Sequence, residues 1–346
     1  MTRVLTMVVG AALAGVAGGA APAGGASAPA DACVLLPSTS LARWESQDRR
    51  YLAAAFTSAR VSHSIVNAAG SAGRQLAQAR ECLAKGAKVV LLVHVDGRAG
   101  RRVGRLAAAA GVPLVDYARL TPGGSASFYV ASDDVEAGRL LAGGVAGALG
   151  AGGRTPVVAR LGAPRSEPGS ALVARGYDAV LARLRRSRRI AAGPAVVAAS
   201  WRPGALQAAA RRALAGGAGV DGVVAADDRL AGAVVSALRA SGLPPIPLSG
   251  RSASAQGVRN VVSGWQTGTV YDSPKLQANA AARVAIDLVG GRPVRVNGWT
   301  RDGSRRVPSI LLRPVWITRN NYAVLFAEGV HSRSEICGGE YARFCR

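Results

Sequence analysis

The sequence predicts an α/β protein built from two doubly wound parallel-sheet lobes. Two observations carry this. Short apolar runs alternate with alanine-rich helical stretches from Cys33 onward, and the alternation starts again after Phe128–Asp134, giving two halves of similar size. The apolar runs are continuous rather than alternating, as in Val89-Val90-Leu91-Leu92-Val93, which is the pattern of parallel strands covered on both faces.

In the first half the expected strands are Val34–Leu36, Ser64–Asn67, Val89–Val95 and Pro113–Tyr117, with helices over Trp44–Ala59, Gly73–Lys85 and Arg98–Ala110. In the second half a helix is expected over Asp134–Leu149. Strands follow at Pro156–Leu161, Ala195–Ala199, Gly222–Ala226 and Ile246–Ser249, with helices Ser170–Arg185, Pro203–Ala215 and Arg229–Ser241 between them. Gly193-Pro194 and Pro244-Pro245 read as loop punctuation. The glycines of Gly143–Gly153 read as flexible punctuation after a helix, and not as a dinucleotide fingerprint. The cleft between the carboxyl ends of the strands is the expected ligand site.

A chain of 346 residues, 49% hydrophobic and 18% charged, is long enough for real cores. Its formal charge of +23 raises an anionic partner. However, only Lys85, Lys88 and Lys275 of its 43 cations are lysines, the arginines are scattered, and no basic block is interleaved with aromatics, so no nucleic-acid platform is expected. The densest run, Arg183–Arg189, reads as a solvated helix end. Residues 1–28 read as an export signal: Arg3, an apolar stretch Val4–Ala21 and a small-residue cleavage site at Ala26-Ser27-Ala28. The protein is expected outside the cytoplasm, in the cell-wall space or at the surface. A lipid anchor on Cys33 is not expected, because Ala30-Asp31-Ala32 lacks the branched apolar residue of a lipidation site.

Four cysteines in an exported chain suggest two disulfides. Cys337 and Cys345 are close enough to form a local loop, which leaves Cys33 to pair with Cys82. The spacing is not that of a zinc site, and no metal or other cofactor is expected. Enzyme motifs are missing: no His-Glu-x-x-His, no Gly-x-Ser-x-Gly and no phosphate loop. His94 reads as a packed histidine, and no nucleophile, base and orienting acid come together in the sequence. The chain is therefore not read as an enzyme.

What does recur is a set of polar and aromatic residues just beyond strand ends: Arg43-Trp44 with Asp48-Arg49, then Asp96, Arg119, Asp133-Asp134, Trp201 and Asp227-Asp228. Carboxylates and guanidinium forks bond hydroxyls and an indole covers the apolar face of a ring, so the mixture suits a sugar. Each position also has a plainer reading: Arg43 and Asp48 as a helix pair, Asp96 and Asp133 as helix caps, Trp201 as core.

These residues resemble the type I periplasmic sugar-binding proteins of ABC transporters, in particular the xylose-binding branch and its actinobacterial relatives. Leu36-Pro37, Arg43-Trp44, Val95-Asp96-Gly97, Gly111–Val115, Tyr117–Leu120, Tyr129–Gly138, Gly162-Ala163-Pro164, Ala225–Gly232, Ser249-Gly250, Gly264–Tyr271, Pro308–Pro314 and Gly329-Val330-His331 follow the family order. The resemblance implies a three-crossing hinge near Ala131, Val270 and Leu312. One lobe would comprise 29–131 plus 271–311 and the other 132–270 plus 312–346. It implies that Arg43 and Arg119 donate to sugar hydroxyls, that Asp133 and Asp228 accept, and that Trp201 stacks on the ring, with Trp44 and Asp227 beside them. This chain departs from the family pattern at Ala118, Asp134, Pro168-Gly169, Asp227, Ser252 and Asp272. A buried hydroxyl left without a partner costs about 1–3 kcal/mol, so these changes bear on which ligand is held.

The expected function is capture of a small sugar by a monomeric exported receptor and its delivery to a membrane ABC permease. The alternative is a diverged sensor or interaction protein on the same scaffold, with a non-sugar ligand or none. A transcription repressor shares such lobes but needs an N-terminal helix-turn-helix, and the export signal stands in that place.

Overall fold

The computed structural model describes residues 30–40, 43–150, 152–167, 169–215, 219–303 and 305–345. The export signal expected over 1–28, and Pro168, lie outside these residues.

The first sheet begins with β1 (Ala32–Leu36), followed by a π-helical turn (Trp44–Asp48) that runs into α1 (Arg49–Ser58). Next come β2 (His63–Asn67), α2 (Ala72–Ala84), β3 (Val89–Leu92), α3 (Gly97–Ala109), β4 (Leu114–Tyr117) and β5 (Phe128–Ser132). The chain then leaves through α4 (Asp134–Ala148) for β6 (Val157–Gly162), α5 (Ser170–Arg186), β7 (Ala191–Val197), α6 (Pro203–Leu214), β8 (Gly222–Ala225), α7 (Asp228–Ala240), β9 (Ser249–Arg251), α8 (Ala255–Val262) and β10 (Gly268–Tyr271). It returns through α9 (Pro274–Val289) to β11 (Gly298–Arg301) and β12 (Arg306–Leu312). It crosses back for β13 (Val315–Ile317), the short helices α10 (Val324–Ala327) and α11 (Arg333–Cys337), and a closing 3-10 turn.

The first sheet has the order β11-β12-β5-β4-β3-β1-β2, parallel except at the β11–β12 pair. The second part has β7-β6-β8 and β13-β10-β9, joined by a parallel bridge from Val223 to Leu248. Read across that bridge, β7-β6-β8-β9-β10 repeats the order β2-β1-β3-β4-β5. Each half therefore has its switch point beside its first strand, where an open α/β sheet binds ligands beyond the strands' carboxyl ends. Apolar clusters fill both faces of the first sheet, around Trp44, Leu52 and Val89 on one side and Cys33, Leu76 and Val103 on the other; a third surrounds Leu161 and Leu230. The C-terminal turns pack Leu325 and Ile336 against Tyr271 and Ile317. Among the described residues no helix is long and apolar enough to cross a membrane.

Three expectations are corrected. The strand expected at Ala195–Ala199 runs over Ala191–Val197 and contains Gly193-Pro194, which therefore do not mark a loop. β7 is an edge strand, so Pro194 removes no ladder bond that a second neighbour would need. The strand expected at Ile246–Ser249 is displaced to Ser249–Arg251, with Leu248 making the single bridge. Gly143, Gly144 and Gly147 lie inside α4 rather than after it. Both disulfides form: Cys33–Cys82 joins β1 to the end of α2 with Cα atoms 6.1 Å apart, and Cys337–Cys345 closes the C-terminal turn at 5.9 Å.

Candidate functional site

The π-helical turn after β1 widens the first helical turn, so that residues five apart come into line. Arg43 consequently meets Asp48 in a bidentate pair, Nε to Oδ2 and Nη2 to Oδ1, each 2.9 Å. Asp48 is fully buried and also accepts from the Tyr117 hydroxyl. Burial works against the Arg43 charge, but the Asp48 carboxylate more than offsets it and holds the guanidinium pKa above its ordinary value. Trp44 is only 2% exposed. Two guanidinium carbons lie over its ring, Arg43 at 4.5 Å and Arg119 at 5.7 Å, and its indole N–H has no partner among the described residues.

Arg119 is aimed by its backbone. Ala118 before it adopts φ 59°, a left-handed conformation that costs a non-glycine residue energy and reverses the chain directly after β4. The Arg119 Nη1 donates to the His94 carbonyl at 3.2 Å. Beneath it, Thr121 bonds both Asp116 oxygens, from its N–H at 2.6 Å and its hydroxyl at 3.0 Å, and its hydroxyl also meets His94 Nδ1 at 3.2 Å. Burial pushes the Asp116 carboxyl up to about 7, against the Thr121 bonds. Burial, aided by Arg119, pulls the His94 imidazole down to about 4. His94 is thus a packed, hydrogen-bonded residue, and it lies beyond the end of β3.

The passage between the two parts of the chain carries a charge cluster. Arg251, at the end of β9, donates Nε to Asp272 Oδ2 and Nη2 to Asp134 Oδ1, each at 2.7 Å. Ser132, ending β5, donates its hydroxyl to Asp272, and the Asp133 N–H bonds the Leu312 carbonyl at 2.8 Å. All three crossing segments therefore meet here. Sequence reasoning placed Asp134 both among the polar residues past strand ends and among the departures, noted Asp272 only as a departure, and missed Arg251. The signal was available in two carboxylates at crossings with no cation beside either in sequence.

From the second half come Trp201 and Glu167. The indole N–H of Trp201 donates to Glu167 Oε2 at 2.9 Å, and Glu167 lies within electrostatic reach of Arg119. Sequence reasoning passed over Glu167, which sits in a loop without a motif. Several expected ligand contacts are otherwise engaged. The Arg229 guanidinium lies 3.6 Å from the Trp201 ring centroid, so this indole face already carries a cation instead of standing open for a sugar. Asp227 caps α7 and pairs with Arg229 at 2.9 Å. Asp133 caps α4 through Oδ1. Asp96 caps α3, the plainer of its two readings.

Asp228 is bonded within the second half of the protein. It is 4% exposed; its Oδ2 accepts from the Ser254 N–H and hydroxyl, and its Oδ1 from Gln266. Burial drives its carboxyl up to about 6. A methyl group on Gly250 or Gly257 would come within 2.2 Å of this carboxylate, so the two glycines make room for it. The Trp44 ring is covered by the guanidinium groups of Arg43 and Arg119. Among the described residues no three His, Cys, Asp or Glu side chains are grouped to hold a metal ion.

Two repeated α/β sheets with polar side chains gathered past the ends of their strands define a two-lobed binding protein. The model of the periplasmic binding protein domain family matches residues 32–293, and the chain belongs to this family of extracytoplasmic solute-binding proteins. It is 27% identical over 308 residues to the D-xylose-binding periplasmic protein of Escherichia coli K12, covering 86% of this chain and 89% of that protein. It is 26% identical to a multiple sugar-binding periplasmic receptor of Rhizobium radiobacter, covering 75% and 79%. Among solved structures, a carbohydrate transporter solute-binding protein of Chloroflexus aurantiacus in complex with D-glucose superposes with a TM-score of 0.74 at 22% identity, covering 88% of this chain and 98% of that one. That likeness is one of fold.

Proposed function

We propose that this protein captures a small sugar between two lobes outside the cytoplasm and delivers it to an ABC permease, acting as a monomer. The lobes of this reading are 29–131 plus 271–311 and 132–270 plus 312–346, hinged near residues 131, 270 and 312. The observation that carries it is the pairing of family membership with opposed polar groups: Arg119 beyond β4 of the first sheet and Glu167, held by Trp201, beyond β6 of the second. A ligand touching both sides favours the closed form by its differential contacts, without any bond being made or broken.

Relatives that bind D-xylose and several sugars support the sugar class. Transfer to a permease is tested by uptake of labelled sugar in cells with and without the gene. Loss of uptake that returns with the wild-type protein, and does not return with Arg119→Ala, is the expected result. Uptake independent of the gene favours the sensor reading, for which the Arg229 guanidinium covering Trp201 speaks.

A further inference from the structure

A hydrogen-bond account of the cleft comes out unbalanced. Carboxylates at the crossings and strand ends are mostly spent on protein donors: Asp48 on Arg43 and Tyr117, Asp134 and Asp272 on Arg251 and Ser132, Asp227 on Arg229. The donors are not. Arg119 makes a single side-chain bond among the described residues, to a neutral carbonyl, and no carboxylate pairs with it. Burial and the neighbouring Arg43 charge both disfavour its cation, with Glu167 the one group opposing them. Among the described residues the buried Trp44 indole N–H beside it has no partner, and Arg251 spends Nε and Nη2 on two carboxylates that fix its plane.

Ring contacts and electrostatic reach link these groups. Arg43 and Arg119 share the Trp44 ring, Asp272 lies within electrostatic reach of Arg43, and Asp134 packs against Gly169, two residues from Glu167. A half-buried guanidinium without an anion bears part of the cost of a buried charge, and one with a carboxylate or phosphate makes the strongest class of hydrogen bond. Among the described residues Asp133 Oδ2 and Glu167 Oε1 remain as acceptors for hydroxyls.

We propose that the cleft selects an anionic sugar, whose carboxylate or phosphate meets Arg119 and whose hydroxyls meet Glu167 and Asp133, an inference that rests on the sugar-receptor reading above. A bare anion leaves those two acceptors unused, and a neutral sugar leaves Arg119 without its counter-charge.

The test is calorimetric titration of the exported chain with D-glucuronate and D-gluconate as carboxylates, D-glucose 6-phosphate as a phosphate, D-glucose and D-xylose as neutral sugars, and inorganic phosphate. At least one anionic sugar should bind about 10-fold or more tightly than D-glucose, as expected when a charge-assisted bond replaces a neutral one. Which arm responds separates carboxylate from phosphate. Arg119→Gln should erase that preference while the protein still melts cooperatively, and Arg251→Lys, which keeps the charge but not the fork, should weaken it. Equal or tighter binding of a neutral sugar overturns the anionic class and leaves the receptor reading standing. Anionic preference that survives Arg119→Gln, or inorganic phosphate binding as well as any sugar, also overturns it. Silence from every sugar overturns both.

Discussion

Arg43 and Asp48 stand five residues apart and close a bidentate ion pair of 2.9 Å on each arm, because the helix between them is wound as a π-turn. In an α-helix the residues brought together are three or four apart. The π-turn therefore carries a charge pair to the point where β1 gives way to its helix, the switch point of the sheet.

Asp48→Asn leaves Arg43 without its counter-charge over a buried tryptophan. With the Arg43 side chain 28% exposed, the loss should be about 2–3 kcal/mol, at or below the range for breaking a buried pair. Chemical denaturation measures it, and Arg43→Met with Asp48→Leu should recover much of the loss by removing both charges.

Neighbouring glycines of α4 should respond oppositely to alanine. Gly143 has open space where a Cβ would stand, so Gly143→Ala should stabilise by about 0.5–1 kcal/mol through helix propensity. At Gly144 the same atom would lie 2.2 Å from the Trp316 ring, which is also pressed against Gly268, so Gly144→Ala should destabilise by about 1–3 kcal/mol. Thermal melts of the two variants decide it.

Asp116 and His94 should pull stability in opposite directions across the same pH range. Asp116 is raised from 3.8 to about 7, so the folded state holds its proton more tightly, and its contribution is present at low pH and lost as pH rises toward 7. His94 is lowered from 6.5 to about 4, so folding expels its proton, and its contribution is lost as pH falls from 6.5 toward 4. Asp228, raised to about 6, adds to the Asp116 direction. Denaturation between pH 4 and 7 should therefore give a rising slope in Asp116→Asn relative to the wild type, and a more steeply falling one in His94→Gln. Each slope change is at most about 1.4 kcal/mol per pH unit for one proton.

The alternation of apolar runs and helices was enough to place β1 to β4 and the helices between them, because buried parallel strands need continuous apolar sequence, but not β5, β11 and β12 of the same sheet. It failed at β7, where an edge position tolerates Gly193-Pro194, and within α4, where tertiary packing against Trp316 and not local propensity explains a glycine in mid-helix. Of the expected ligand contacts, Arg43 and Arg119 could be identified as cations after strand ends. Their division into one paired and one unpaired guanidinium could not, since it depends on a π-turn and on Ala118 at positive φ. Asp228 stands next to Asp227 in sequence, but one faces Ser254 and Gln266 and the other Arg229. The Arg251 cluster joins residues up to 140 apart, through contacts that only the folded crossings create.

The central claim is that two lobes close over a sugar. A thermal-shift series on the chain from residue 29, against pentoses, hexoses, polyols and their acidic derivatives, tests it most directly. A ligand at about 100 times its dissociation constant adds about 2.7 kcal/mol to the folded state, which for a chain this long is a rise of roughly 2 °C or more. The account predicts such a rise with at least one sugar and its loss in Arg119→Ala. A protein that melts cooperatively and shifts with no member of the panel would contradict it.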